Sequence, residues 1–402
     1  MKTDLSVKRV TFDSFRNYTT LELTNLSRLV IVVGDNALGK TNIIEGIQLV
    51  SMIDSFRNPS WNDLVQKERD CAHVIIEFQL NGCDNQLRLD IRENKRFYQL
   101  NEKAKRTRDV CGLLPAVLFT PADLQIIQGP AERRRLCIDD LGCQLSRTFI
   151  DIRQDYTRVV KQKNALLRED RVDPDILASW NRNLIKLGSS LMRHRIALFE
   201  KVTEKTKRVY HRIAPAEQLT TAYIPSWLLL NDNKDKEKGE TVGLEERLKD
   251  DAFDGLKDDL KNNSKNNPKD NIVDVFAAML ERYQTQEVRQ GRSLIGPHRD
   301  EILFFIDGND ARRFGSQGQQ RSIALALKIA EVEILQEIVG ADPILLLDDV
   351  MSEIDEGRRT MLLDLIDTTT QTFITTTNLG YFDDRTLQRA QIIRLPLQEE
   401  LP

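Results

Sequence analysis

No stretch of this 402-residue chain holds the run of about 18 consecutive apolar residues that a membrane-spanning helix requires, so a membrane protein is not expected. Met1 to Val10 lacks the apolar core of a secretion signal. Histidine is scarce, with four in all, and the five cysteines (Cys71, Cys83, Cys111, Cys137, Cys143) form no Cys-x-x-Cys pair. A zinc site is therefore not expected, and the cysteines read as reduced thiols of a cytoplasmic protein. An excess of basic charge is also missing: 58 Lys and Arg face 62 Asp and Glu, a net charge of -4. Any nucleic-acid contact must come from local patches.

What is present is a chain 40% hydrophobic and 30% charged, long enough for two or three soluble domains at about 100–200 residues each. Leu29 to Val33 is a short apolar, β-branched run that predicts a buried parallel strand. Gly34-Asp35-Asn36-Ala37-Leu38-Gly39-Lys40-Thr41 follows at once, and Ile43, Ile44, Ile47 and Val50 then recur at helical spacing. Strand, glycine loop and helix is the context that a phosphate-binding G-x-x-x-x-G-K-[ST] loop requires. Its glycines let backbone amides turn toward phosphates, and the helix N-terminus adds unpaired N–H groups. The expected nucleotide site is Gly34 to Thr41 with Asn42, the nucleotide being ATP. Lys40 brings a cation to the outer phosphates and Thr41 a hydroxyl ligand to Mg²⁺.

The acidic partner comes late. Ile344 to Leu347 is apolar and ends in Asp348-Asp349. Carboxylates at the carboxyl end of a strand face the cleft in which open α/β sheets bind ligands. Asp348 is the expected holder of Mg²⁺, and Asp349 the group that orients or deprotonates an attacking water. With Lys40 they form the expected catalytic set. Between the halves of the site lie Ser316-Gln317-Gly318-Gln319-Gln320, with Ser316 and Gly318 expected just before a strong helix. That makes a second anion-binding helix N-terminus. Ser352-Glu353-Ile354-Asp355 follows the acidic pair.

Most of the remaining sequence reads as helix. Leu177, Trp180, Leu184, Leu187, Leu191, Leu198, Val202 and Val209 step by three, four or seven, a heptad-like seam after Asp173-Pro174, an N-cap followed by a proline at the first helical position. With Ile152, Tyr156, Val159 and Leu166 before it, and Ile272, Phe276, Met279 and Tyr283 after it, this predicts a short helical hairpin arm packed on a returning helix. Residues 231–271 are rich in Lys, Asp, Asn and Glu and read as a mobile loop with at most one helix. The expected organisation is a first head segment over 1–130, a helical arm over 131–290 and a second head segment over 291–402.

Two basic clusters are candidates for neutralising phosphates. One lies between Arg92 and Arg108, where Lys95, Arg96, Lys103, Lys105 and Arg106 accompany Phe97 and Tyr98 in what reads as a hairpin. The other is Arg133-Arg134-Arg135.

Loop, Ser-x-Gly-x-Gln, acidic strand end and Ser-x-x-Asp, in that order, resemble an ABC-type ATPase head of the branch shared by SMC and Rad50 proteins. Further segments are similar to the RecF family of recombination proteins: Phe15-Arg16-Asn17-Tyr18, Phe119 to Leu124, Gly129-Pro130 with Arg133 to Arg135, Lys161 to Leu167, Gly296-Pro297-His298-Arg299-Asp300 and Gly315 to Arg321. The resemblance covers about residues 1–225 and 270–396. It departs at Ala122, where the family usually has an acidic residue, and at 231–271, which looks like an extra insertion.

The resemblance implies an α/β P-loop head carrying an inserted helical arm. It implies two chains closing head to head on two nucleotides, with Ser316, Gln317, Gly318 and Gln319 reaching the nucleotide of the partner chain and Ser352 and Asp355 at the same interface. It further implies a weak DNA-dependent ATPase acting as a switch, binding duplex or gapped DNA in recombinational repair and replication restart. RecR, RecO and RecA are the partners it implies, the first two helping to place RecA on gapped DNA. The alternatives are another DNA-tethering head of the SMC type or a transport ATPase subunit. Against the latter stand the inserted arm and Ser-Gln-Gly-Gln-Gln in place of Leu-Ser-Gly-Gly-Gln.

Overall fold

The computed structural model describes residues 5–52, 55–57, 59–230, 268–368 and 371–396. Strands β1 (Leu5–Phe15), β2 (Tyr18–Leu23) and β3 (Leu29–Val33) lead into helix α1 (Lys40–Ser51). Strands β4 (Cys71–Leu80), β5 (Cys83–Arg92), β6 (Lys95–Leu100) and β7 (Lys103–Lys105) follow, then α2 (Thr107–Val110) and β8 (Ala116–Phe119). Helices α3 (Ala131–Leu145), α4 (Arg147–Leu166) and α5 (Pro174–Ile213) precede β9 (Leu219–Ile224). After α6 (Pro268–Gln290) come β10 (Glu301–Ile306), β11 (Asn309–Asp310), α7 (Gln317–Val339) and β12 (Ile344–Asp348). The last elements are α8 (Glu356–Thr368), β13 (Thr372–Thr376), α9 (Asp384–Arg389) and β14 (Gln391–Arg394).

Two burial patterns sort the strands into two main sheets. In β4 every second residue from Ala72 to Phe78 is buried, as in a sheet with one wet face, and it joins the six-stranded antiparallel sheet β2-β1-β4-β5-β6-β7. In β3, β12 and β13 every residue is buried, and they form the middle of the five-stranded sheet β14-β3-β13-β12-β8, whose pairings are all parallel. Val30, Val32, Leu346 and Phe373 face α1 and the antiparallel sheet, while Ile31, Leu345, Leu347 and Ile374 face α7, α5 and α3. Helix α1 lies close to the antiparallel sheet because it presents Gly46: a Cβ there would stand 2.3 Å from the Phe12 ring.

The inserted segment is a helical hairpin. Asp173 caps α5 by accepting from the amides of Asp175 and Ile176, with Pro174 at the first helical position. At 40 residues, α5 is about 60 Å long at 1.5 Å per residue. Its seam serves three places in turn. Leu177 packs at the hairpin tip with Leu166 and Leu167, Leu184 and Leu191 pack in the arm with Phe276 and Tyr283, and Leu198, Val202 and Val209 enter the core beneath the parallel sheet. The segment read as helical arm also contains a strand: β9 pairs with β10, from the second head segment, in a three-stranded sheet with β11. Within the insertion expected at 231–271, residues 231–267 lie outside the described residues, and α6 begins at Pro268. Among the described residues no helix is long and apolar enough to cross a membrane.

Gly296 to Asp300 clasps the arm to the head. Arg195 of α5 donates to the Pro297 carbonyl and pairs with Asp139 at 2.7 Å. Asp300 accepts from the Ser226 amide and the Tyr223 hydroxyl. His298 Nδ1 lies 2.6 Å from the Tyr156 hydroxyl, and its buried Nε2 has no partner. Burial, then the nearby Arg299, pushes the imidazole down to about 3, so it is neutral when folded. A depressed basic group gives stability that is present above the ordinary value near 6.5 and lost as pH falls toward 3. Between pH 7 and about 4.5 the native chain should lose about 3 kcal/mol more stability than His298→Gln, measured by urea unfolding at both pH values. Equal losses in the two proteins would contradict a neutral His298.

Candidate ATP site

The two halves of the predicted site meet across a single strand. β13 pairs with β3 on one side and β12 on the other, and Thr375 stands in register with both Val32 and Asp348. The loop leaving β3 and the carboxylates ending β12 therefore open at the same edge of the sheet. Asp348 is buried, accepts from Thr375 Oγ1 at 2.7 Å and is hydrogen-bonded to the Thr41 hydroxyl. Burial raises its carboxyl above the ordinary aspartate value, against those hydrogen bonds and the charges of Arg57 and Lys40.

Lys40 is 7% exposed, and its ammonium donates to the carbonyls of Gly34 and Asp35, both at 2.7 Å. Gly39 has φ 97°, and a Cβ on it would lie 2.5 Å from Asn17 Nδ2 and 2.7 Å from the Tyr18 hydroxyl. The segment Phe15 to Tyr18 thus forms the back wall of the loop. Asn42 bonds Asn17 at 2.7 Å and Arg57 at 2.8 Å, and Arg16 grips the buried Glu45 with two bonds of 2.8 and 2.9 Å. Arg16 and Arg57 brace α1 through Glu45 and Asn42, and sequence reasoning did not assign Arg57 or Glu45 to the site.

Asp349 leaves the strand with φ 51°, the left-handed region that aspartate tolerates better than most residues. Its amide donates to the Thr375 carbonyl and hydroxyl, both at 3.1 Å. One carboxylate oxygen is buried without a partner, and burial, with the neighbouring Asp348 adding to it against Lys40, raises the carboxyl.

Ser316 and Gln319 form a reciprocal capping box at the start of α7: Ser316 Oγ accepts from the Gln319 amide, and Gln319 Oε1 from the Ser316 amide. Gly318 therefore lies inside the first turn rather than before the helix. Gln319 Nε2 also donates to Glu217 at 3.0 Å. Arg358 of α8 donates to the Gly318 carbonyl at 2.6 Å and to Ser322, and pairs with Asp355. Ser352 donates to the Asp349 carbonyl at 2.9 Å. Ser352 is thereby tied to the turn that carries Asp349, and Asp355 to the head of α7 through Arg358, a residue without a motif of its own. Its only signal was its place in the first turn of the helix after Ser352 to Asp355.

The basic clusters divide. Lys95, Lys103, Lys105 and Arg106 are exposed on β6, β7 and the turn after them, while Arg96 lies over the Trp61 ring at 4.7 Å. Arg133 is exposed, but Arg134 is not available to DNA: it is 3% exposed, paired with Glu301 at 2.9 Å and bonded to the carbonyls of Ile126, Ile127 and Gly129. Arg135 is half-buried and donates to the Asp300 carbonyl at 2.6 Å. Packing of α3 against β10 turns these two side chains inward.

Residues 6–394 match the RecF/RecN/SMC N-terminal domain model. A DNA replication and repair protein RecF from Acaryochloris marina is 34% identical over 388 residues, covering 94% of each chain. Its counterpart from Synechococcus sp. strain JA-3-3Ab is 32% identical, covering 95% of this chain and 93% of that one. This chain belongs to the RecF family. Two solved structures of the recombination mediator protein RecF in the RecFOR pathway share the fold. The one with ATPrS has a TM-score of 0.80 at 26% identity, and the one with ATP 0.78 at 25%, each covering 95% of both chains. The fold is thus that of the RecF and SMC ATPase heads, with the arm inserted between the phosphate loop and the acidic strand.

Proposed function

We propose that this chain is an ATP-gated, DNA-binding switch of replication and recombinational repair. The observation that carries the reading is the convergence of Lys40, Thr41, Asp348 and Asp349 at one sheet edge, across Thr375. The donor set suits Mg²⁺ and ATP: a hydroxyl and a carboxylate, all oxygen, with the remaining positions left to phosphates and water. Thr41 and Asp348 would hold the ion, and Asp349 would orient the attacking water. RecF relatives solved with ATP and ATPrS support the choice of nucleotide.

The head of α7 spends its local bonds on Glu217 and Arg358, leaving Ser316 exposed at the surface. That supports a sandwich in which Ser316 to Gln319, with Ser352 and Asp355, complete the site of a second chain. Closing two heads then clamps duplex DNA beside a gap, with Lys95, Lys103, Lys105, Arg106 and Arg133 as phosphate contacts. Slow, DNA-dependent hydrolysis reopens the clamp, and RecO, RecR and RecA act at the same gap.

Sedimentation of the purified chain with and without ATP and gapped DNA is the test. ATP should produce a dimer that co-sediments with DNA. Ser316→Arg should bind ATP as a monomer and fail to dimerise. Dimers at the native level in that variant would sink the shared site.

A further inference from the structure

The outer face of the antiparallel sheet carries a cluster that the ATP site does not use. Cys71 and His73 share one side of β4, and Asp90 stands opposite His73 on β5. Cys71 Sγ is 3.5 Å from His73 Nε2, and His73 Nδ1 is 2.6 Å from Asp90 Oδ1. Nδ1 faces both the Asp90 carboxylate, which can only accept, and an Arg88 nitrogen, which can only donate; with the proton on Nδ1 toward the nearer Asp90, Nε2 is left to take one from the thiol. Asp90 is fixed in turn by Arg88 Nε at 2.6 Å and Gln99 Nε2 at 3.4 Å, and another Arg88 nitrogen lies 3.0 Å from His73 Nδ1. The other charged groups opposite the cluster are Asp13, across from His73 on β1, and Arg92, across from Cys71 on β5. Thiol, imidazole and carboxylate stand in the order that activates a nucleophile.

A second observation says what would meet that thiol. Asp90 and Arg92 also line a cavity of about 410 Å³ with Phe97, Lys105 and Arg106, and the Arg92 guanidinium lies 4.8 Å from the centre of the Phe97 ring. Cys71 and His73 do not line this cavity, which meets the cluster through Asp90 and Arg92; its basic and aromatic walls suit a flat, anionic reagent. The other cysteines give built-in comparisons. Cys83 is exposed at the opposite end of β5, and Cys111 is buried. Burial pushes the Cys137 thiol up and the Cys143 thiol up to about 12, which leaves both inert.

We propose that Cys71 is a nucleophilic thiol that exchanges with small anionic disulfides. Its proton passes to His73 Nε2, and the sulfur attacks one sulfur of the disulfide. The S–S bond breaks, a mixed disulfide forms on Cys71, and the departing thiolate takes the proton from His73. The disulfide is the only oxidant the step needs. The proposal stands apart from the ATPase reading.

The test uses the full chain with dithiobis(nitrobenzoate), an anionic aromatic disulfide, and dithiodipyridine, a neutral one, with peptide mapping of the modified cysteine. Cys71 should react first, about tenfold faster than the more exposed Cys83. His73→Gln should bring Cys71 down to the Cys83 rate. Arg92→Gln should abolish the preference for the anionic reagent while leaving the neutral one unaffected. Modification of Cys83 ahead of Cys71 in the native chain would overturn the proposal without any variant. So would a His73→Gln chain, folded by its unfolding midpoint, that reacts at the native rate.

Discussion

Asp349→Asn should bind ATP normally and hydrolyse it about a hundredfold more slowly, the usual size of a lost general base. The substitution isolates the chemistry because the backbone has no reason to move. Asparagine tolerates the left-handed conformation at φ 51° as well as aspartate does, and the amide bonds to Thr375 do not involve the side chain. What is lost is a carboxylate oxygen that is buried and without a partner inside the protein. Burial raises this carboxyl, so the acid limb of the hydrolysis profile should lie at higher pH than an ordinary aspartate would give, with the rate falling as pH drops through it. Single-turnover phosphate release measures the rate, and nucleotide fluorescence measures binding. Closed dimers should accumulate. Unchanged hydrolysis would remove the role assigned to Asp349, whereas Lys40→Ala should fail earlier, at nucleotide binding.

Lys163→Met should destabilise the folded chain by about 3–5 kcal/mol, read from the urea midpoint. Lys163 and Glu287 are both fully buried, 2.6 Å apart, and join α4 to α6 inside the arm. Methionine fills similar space but leaves the Glu287 carboxylate without a counter-charge. Glu287 keeps only neutral donors, the Ser293 hydroxyl at 3.1 Å and the amides of Leu294 at 2.8 Å and Ile295 at 3.5 Å. Adding Glu287→Gln to Lys163→Met should recover more than half of the loss, since the cost comes from an unpaired buried charge rather than from the missing bond. A single variant as stable as the native chain would mean that the arm opens readily enough to hydrate Glu287.

The strand, loop and helix around Lys40 were legible because each carries a local signal: a β-branched run, two glycines at fixed spacing, and apolar residues at helical steps. Asp173-Pro174 marked the start of α5 for the same reason. What could not be read locally was the partner of each polar side chain. Arg133, Arg134 and Arg135 look alike in sequence, yet only packing of α3 on β10 decides that Arg134 meets Glu301 while Arg133 stays outside. Thr375 carries no motif and gains its place from lying between two strands distant in sequence. The segments Lys161 to Leu167 and Gly296 to Asp300 resembled the family without revealing why. Structurally they are clasps, holding Glu287, Ser293, Tyr156 and Arg195.

The position of β13 also has a consequence for how the chain is made. On the ribosome the phosphate loop emerges before the strand that must slide in beside β3, with the whole arm made in between. Until residue 376 is free, β3 lacks the neighbour that holds it next to Asp348, and only the antiparallel sheet and the arm have most of their partners. The ATP site therefore cannot be completed before β13 has emerged, and closure of the parallel sheet is a long-range step.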